Sequence, residues 1–478
     1  MPIYITPQQY FLRLHHIRPR FKDDVENVLF YMANEIYKIG KKDSDLFKTE
    51  LNSSIRLFPG NFRKEEKTIN NWRTEISALF GLIQYEDGQS KPSAITNNLV
   101  TNSNLIEFFR YFLYNFQYPG GHLKPNESLL LIQNKVRFKP ASFILQTYLE
   151  GRRITEKDFG ISQAEATHCI FNDLRVTTGQ RRPAEVVDLI IFNRKNNIDY
   201  DTDGDTVRYA GDILDYMELA DLVTLKQNNK YYLNNYQAEV INSIINNDQY
   251  FQPFEGLYGL RNLSLSDISA ATGPWYDFIN SNIDDSIFNS DIASILEGFQ
   301  AEEGESTSPE DAKFINEIIS KLRDDSKKPK NTKEIGDIGE AIAIEHEKNR
   351  LTSISPLYSA MLHWIKKIPE SLAMGYDINS LEGVADKRRC IEVKTTLSMG
   401  KINATSFHMT PSEWSAASSL GQSYFVYRLT ISKKEISLFV IKDPVQMYKE
   451  NRLDMTIGDG VDISYNKQTS GTYVELCR

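Results

Sequence analysis

Gly375-Tyr376-Asp377-Ile378 and, a little further on, Cys390-Ile391-Glu392-Val393-Lys394-Thr395 decide the fold of this chain. In the second stretch Ile391 and Val393 alternate with Glu392 and Lys394, a period of two that predicts a half-buried strand. Successive strand side chains point to opposite faces. Glu392 and Lys394 therefore share a face while the two branched residues enter the core. Between the stretches, Gly383 and the charged run Asp386-Lys387-Arg388-Arg389 suit a hairpin connection. That connection places Asp377 on a neighbouring strand, close to Glu392. Two carboxylates so arranged can hold a hard divalent cation, and magnesium binds through one or two carboxylates plus substrate phosphate and water. A lysine beside them can orient an attacking water and stabilise charge developing on a phosphate. This is the chemistry of phosphodiester hydrolysis. A lone Glu-x-Lys is usually a solvated strand face; Asp377 at this spacing and the helices on either side set this one apart.

The same residues carry a resemblance. Asp377 followed by Glu392-Val393-Lys394 resembles the PD-(D/E)xK nuclease signature, with Tyr376 in the place of the proline. Upstream, Ile335-Gly336-Asp337-Ile338-Gly339-Glu340 opens a helix expected to reach Arg350, and Glu340 matches the first-helix glutamate of resolvase-like and Mrr-type nucleases. Residues 407–427 also resemble the NO VEIN C-terminal domain, so the resemblance spans residues 330–450. It implies an α/β domain with a mixed sheet and Mg2+ as cofactor. Asp377 and Glu392 would hold the metal, with the Val393 carbonyl as a further ligand. Lys394 would position the attacking water, and Glu340 would assist.

With 478 residues the chain is too long for one ordinary core, and roughly two to four domains are expected. Its 41% hydrophobic and 25% charged residues are those of a globular protein, which excludes disorder as the default state. No stretch approaches the roughly 20 apolar residues of a membrane span, and Met1-Pro2-Ile3-Tyr4 opens no signal peptide. Cys169, Cys390 and Cys477 lack paired ligand spacing, which argues against structural zinc and for a reducing, cytoplasmic setting. The net charge of −9 looks wrong for a DNA binder, but its distribution is uneven. Residues 1–195 hold 27 basic and 21 acidic side chains, the remainder 28 and 43. Contact with phosphate is therefore expected in the N-terminal part.

Taken in order, residues 8–22 mix basic and aromatic groups, including Arg13, His15, His16, Arg18, Arg20 and Lys22. They suit either a packed arm or phosphate contact. Apolar spacing predicts helices over residues 23–40 and 46–55 and another from about residue 68. The third buries Ile69, Trp72, Ile76, Leu79, Phe80 and Ile83. Its polar side carries Asn70, Asn71, Arg73 and Thr74, with Arg63, Lys64 and Lys67 just before it. Asp87-Gly88 then marks a tight hairpin turn. Three helices and a hairpin are the order of a winged helix, whose recognition helix enters the major groove, and Asn and Arg are suitable base readers. The Phe- and Tyr-rich segment 105–116 reads as core rather than base-stacking.

A second module of the same architecture follows. It has a helix over residues 138–150 and a capping box at Ser162 and Glu165. Pro183 opens a helix behind Arg181 and Arg182, where phosphate is favoured. A helix over residues 207–219 and a hairpin through 222–233 complete it. Asp201, Asp203, Asp205 and Asp212 resemble a calcium loop faintly, but Thr206 occupies the glycine position, so an acidic surface loop is the better reading. Residues 301–311 and 327–331 read as polar breaks.

The expected organisation is multidomain: mainly α winged-helix modules, then an α/β nuclease domain. Residues 1–100 form one DNA-recognition module and 101–248 a second, 249–331 a helical spacer and linker, and 332–478 the nuclease domain. The layout resembles type IIS restriction endonucleases of the BpuJI kind, which implies a Mg2+-dependent enzyme cutting double-stranded DNA as a homodimer through its nuclease domain. The alternatives are a modification-dependent or structure-specific nuclease, and a DNA-binding regulator with an inactive nuclease domain.

Overall fold

The computed structural model describes residues 2–14, 25–58, 61–102, 104–202, 208–281, 334–355, 362–363, 365–368, 374–383, 387–433, 435–458, 460–474 and 476. Both polar breaks, residues 15–24 and the heart of the acidic loop lie outside them. The chain divides into two units. One comprises residues 1–25, 39–96 and 106–288; the other comprises 26–38, 97–105 and 289–478. Among the described residues no helix is long and apolar enough to cross a membrane.

The first unit is mostly helical. Strand β1 (Lys42–Asp43) precedes the helix Ser44–Leu57, whose N-terminus is capped by the Asp43 carboxylate accepting from the Asp45 and Leu46 N–H groups. A helix over Glu66–Asn71 runs through a wide turn at Trp72–Ile76 into Ser77–Phe80. Strands β2 (Ile83–Glu86) and β3 (Gln89–Pro92) complete a sheet of order β1-β3-β2. The expected Asp87-Gly88 turn is present, and both residues have positive φ, the geometry that suits the strand twist of a two-residue hairpin. Phe80 packs against Phe108, Phe109, Phe112 and Tyr216, so the aromatic segment is core.

The second half of this unit follows its sequence closely. Its helix runs Pro140–Thr155, the Ser162–Glu165 capping box forms, and Pro183 opens Pro183–Lys195. The helix Arg208–Leu219 leads into the hairpin of β4 (Val223–Leu225) and β5 (Tyr231–Leu233). Residues 249–281 correct the expectation of a spacer. Their short helices belong to the unit's core, and Trp275 is fully buried with Ile132, Phe251, Phe254, Ile268 and Ile279. Gly121 makes room for it, since a Cβ there would fall 2.3 Å from the indole. Helices this short show no periodicity, and the surface that covers Trp275 is distant in sequence.

In the second unit a six-stranded mixed sheet has the order β14-β11-β10-β8-β7-β6. Its members are β6 (Lys366–Lys367), β7 (Ile378–Leu381), β8 (Arg388–Ser398), β10 (Tyr424–Ser432), β11 (Ile436–Lys442) and β14 (Thr472–Val474). Strands β8 and β10 run parallel; the other pairs are antiparallel. A smaller sheet joins β9 (Ser406–Met409), β12 (Leu453–Gly458) and β13 (Gly460–Tyr465) in the order β12-β13-β9. Two early stretches of chain also belong to this unit. In the helix Val25–Ile39, the Glu26 carboxylate accepts the Met399 and Gly400 N–H groups at 2.9 and 2.6 Å, and Lys38 donates to Ser464. Asn104 forms a parallel bridge with Leu397. Residues 1–100 are thus divided between the units instead of forming one module. An amphipathic period says that a helix face is buried, never against what.

Candidate active site

Strand β8 is central, and its two faces are covered by different helices. Arg389 and Thr395 meet the helix Glu334–Ile354, whereas Cys390 and Lys394 meet Pro411–Leu420. Gly339 is what lets the first helix approach. A Cβ there would overlap the Thr395 hydroxyl, so the Gly-Glu pair at the head of this helix has a packing reason. Seven residues along the same helix stands Glu347, whose carboxylate takes Arg350 at 2.6 Å, Ser380 Oγ at 2.6 Å, Tyr427 Oη at 2.5 Å and Arg389 at 3.3 Å. This network ties the helix to β7, β8 and β10, and with it fixes Glu340 two turns away.

The β7–β8 register pairs Ile378 with Ile391, which sets Asp377 opposite Glu392 as expected. The Asp377 carboxylate accepts the Val393 N–H at 2.8 Å, and its own N–H donates to the Ile391 carbonyl. Glu392 corrects one expectation. It is 4% exposed rather than on an open face, because β8 is covered on both sides. Lys394 Nζ lies 2.8 Å from Glu392 Oε1 and 2.7 Å from Glu413 Oε2. At the edge of the sheet, Lys367 pairs with Asp337 and, at 2.7 Å, with Glu340.

The electrostatics are those of an acidic cluster with too few partners. Burial drives the Glu392 carboxyl well above the ordinary carboxylate range; Lys394 opposes this, and Asp377 and Glu413 add to it. Asp377 is also raised by burial, against the Val393 hydrogen bond and Lys394. Glu340 is pushed up to about 7, chiefly by burial, with Lys367 opposing and Asp377 contributing. Burial alone would lower the Lys394 ammonium, but Glu392 and Glu413 hold it above its ordinary range.

Among the described residues no three His, Cys, Asp or Glu side chains form a ready-made metal cage. Magnesium requires none, since it takes one or two carboxylates and completes its shell with water and phosphate. Asp377 and Glu392 fit that donor set: both offer carboxylate oxygens, and both are disfavoured as anions without a further cation. The structure brings together Glu340, Asp377, Glu392 and Lys394, the four residues the sequence singles out, and adds two charged groups the sequence does not point to, Glu413 and Lys367. Glu413 was legible only as the capping partner of Thr410, and Lys367 sits on a two-residue strand that carries no pattern.

In the first unit Arg63, Lys64, Lys67 and Thr74 are exposed, and Asn70, Asn71 and Arg73 are half-buried. Arg73 donates to Asn52 Oδ1 at 2.6 Å and to Asn70 Oδ1 at 2.9 Å, so these two expected base readers also bind each other and the preceding helix. Arg181 is engaged by the fully buried Asp173 at 2.8 Å together with Arg175. Its neighbour Arg182 projects outward, with 81% of its side chain exposed and only a 3.6 Å approach to Glu185.

A helix-rich unit followed by an α/β unit is the layout, and comparison with known families places it among restriction-endonuclease-like chains. The chain belongs to the family described as restriction endonuclease BpuJI, N-terminal, which matches residues 4–276. Residues 339–441 match the C-terminal domain of protein NO VEIN. A solved structure of the BpuJI endonuclease binding domain with pyrene- and phenanthrene-modified DNA is 26% identical. It covers 58% of this chain and 100% of that one, with a TM-score of 0.51. Comparison with curated proteins returns no match.

Proposed function

We propose that this chain is a site-specific, Mg2+-dependent endonuclease of double-stranded DNA, in which the first unit reads sequence and the second cuts. The observation that carries the reading is Asp377, just before β7, with its carboxylate on the Val393 N–H beside Glu392, and Lys394 one strand-step beyond on the Glu392 face. This arrangement resembles the PD-(D/E)xK signature and supports the reading. Asp377 and Glu392 would hold the ion, and the Val393 carbonyl is a further oxygen at hand. The metal supplies Lewis-acid stabilisation of the scissile phosphate and a more acidic water. Lys394 orients the attacking water and offsets charge gathering on the phosphate oxygens. Glu340, held neutral up to about pH 7 by burial, can donate or receive a proton near Asp377.

In the reading unit, exposed Arg63, Lys64, Lys67 and Arg182 suit phosphate contacts, while Asn71 and Thr74 flank the Asn70–Arg73 pair as candidates for base edges. The described residues hold one such centre, so cutting both strands calls for a homodimer through the second unit. Remote, type IIS-like cleavage follows if reading and cutting are separate in space.

The test is digestion of unmethylated plasmid and phage DNA with Mg2+, with sequencing of the ends. A constant motif at a fixed distance from each cut is the expected result. Specific binding with no cleavage of either unmethylated or methylated DNA would defeat the reading.

A further inference from the structure

Glu413 stands at the third position of the Pro411–Leu420 helix, and its carboxylate has two tasks. It forms a capping box with Thr410: the Glu413 N–H donates to Thr410 Oγ1 at 3.3 Å, and the Thr410 N–H donates to Glu413 Oε2 at 3.2 Å. The same Oε2 accepts Lys394 Nζ at 2.7 Å. The cap fixes the side chain from both ends, so the acceptor offered to Lys394 is pre-set by the start of a helix.

Lys394 also reaches Glu392 at 2.8 Å. Glu392 has two carboxylate oxygens and can face both groups, but a divalent cation on it draws off negative charge and weakens its hold on the ammonium. Glu413 has no such competing duty, and Lys394 remains within its reach. We propose that Glu413 is a positioning residue for the hydrolytic step, holding Lys394 on the water and phosphate side once Glu392 is committed to the metal. A folding device, the helix cap, thereby doubles as the mount for the lysine. The inference rests on the nuclease reading above and adds a residue to it.

Glutamine separates the two tasks, since Gln at this capping position still closes the box but carries no charge. The full-length wild type, Glu413→Gln and Thr410→Ala are compared by three measurements. These are single-turnover plasmid cleavage with Mg2+, thermal unfolding, and acetylation of Lys394 with an activated acetate ester in the presence of Mg2+, read by mass spectrometry. Glu413→Gln is expected to unfold within about 2 °C of wild type. It should cleave about 10–100-fold more slowly, the usual loss when the partner of an active-site group is removed. Its Lys394 should be acetylated several-fold faster. Thr410→Ala should lose more thermal stability and less cleavage than Glu413→Gln. Wild-type cleavage and wild-type protection of Lys394 in Glu413→Gln would overturn the proposal, as would a larger cleavage loss in Thr410→Ala. A wild-type protein that cuts no DNA would overturn the nuclease reading, and this proposal with it.

Discussion

Glu347 and Glu392 are both buried against the same sheet, 0% and 4% exposed, yet they are opposite cases. Around Glu347, burial alone would raise the carboxyl, but Arg350, Arg389 and Ser380 more than offset it and hold the group below its ordinary value. Around Glu392, burial prevails: one lysine faces three carboxylates, and the group is held far above its ordinary value. The chain has arginines to spare for a structural joint and leaves its acids under-compensated on the neighbouring face. Deliberately unresolved charge is where a cation and a phosphate would be at home.

The contrast can be broken by substitution. Asp377→Ala or Lys394→Ala should lower cleavage by about 1,000-fold or more while DNA binding persists, as expected when a group acts on the reacting atoms; filter binding beside plasmid digestion would show it. Glu347→Ala should cost about 3–5 kcal/mol of stability, because it takes from two half-buried arginines the buried carboxylate they share; urea unfolding would measure the loss, and a change below about 1 kcal/mol would remove the structural role.

Glu340 offers a test by pH. Its carboxyl stays protonated in the fold while the unfolded chain ionises from about 4.5, so the native state holds the extra proton. Metal-free stability should therefore fall as pH rises from 4.5 to about 7. Glu340→Gln should remove roughly 2–3 kcal/mol of that fall. An unchanged slope would mean that the group ionises freely.

Glu392→Gln should abolish cleavage and yet stabilise the metal-free protein by about 1–2 kcal/mol at neutral pH, the trade expected of a site strained for function. A loss of stability on calorimetry would make Glu392 structural like Glu347. The smallest effect is expected in the first unit. Arg182→Ala should weaken DNA binding only a few-fold and flatten its salt dependence by about one charge. Arg181→Ala should instead lower the melting temperature, since the buried Asp173 loses one of the two arginines that hold it.

Legibility followed locality. Asp377, Glu392 and Lys394 were found because strand alternation and a short hairpin fix their geometry within a few residues. The Asp87-Gly88 turn, the Ser162 cap and Pro183 likewise announce themselves through backbone chemistry. Lys367 was missed because a strand of two residues has no period. The Lys394 contact of Glu413 was missed because a capping box explains the residue completely at the level of sequence. Asn70 and Arg73 look like free readers until Asn52 is brought beside them by the preceding helix.

The sequence by itself determined the longer helices, the central strands, the caps, the tight turns and the closeness of Asp377 to Glu392, since each depends on φ/ψ preference or on a period of two or 3.6. Only the tertiary structure decided that residues 26–38 belong with the C-terminal unit, that Trp275 anchors the first unit, and that the Glu347 charge is compensated by arginines while the Glu392 charge is not. The reason is physical: burial and net charge at a point are sums over every group that packs there, and most of those groups lie far away along the chain.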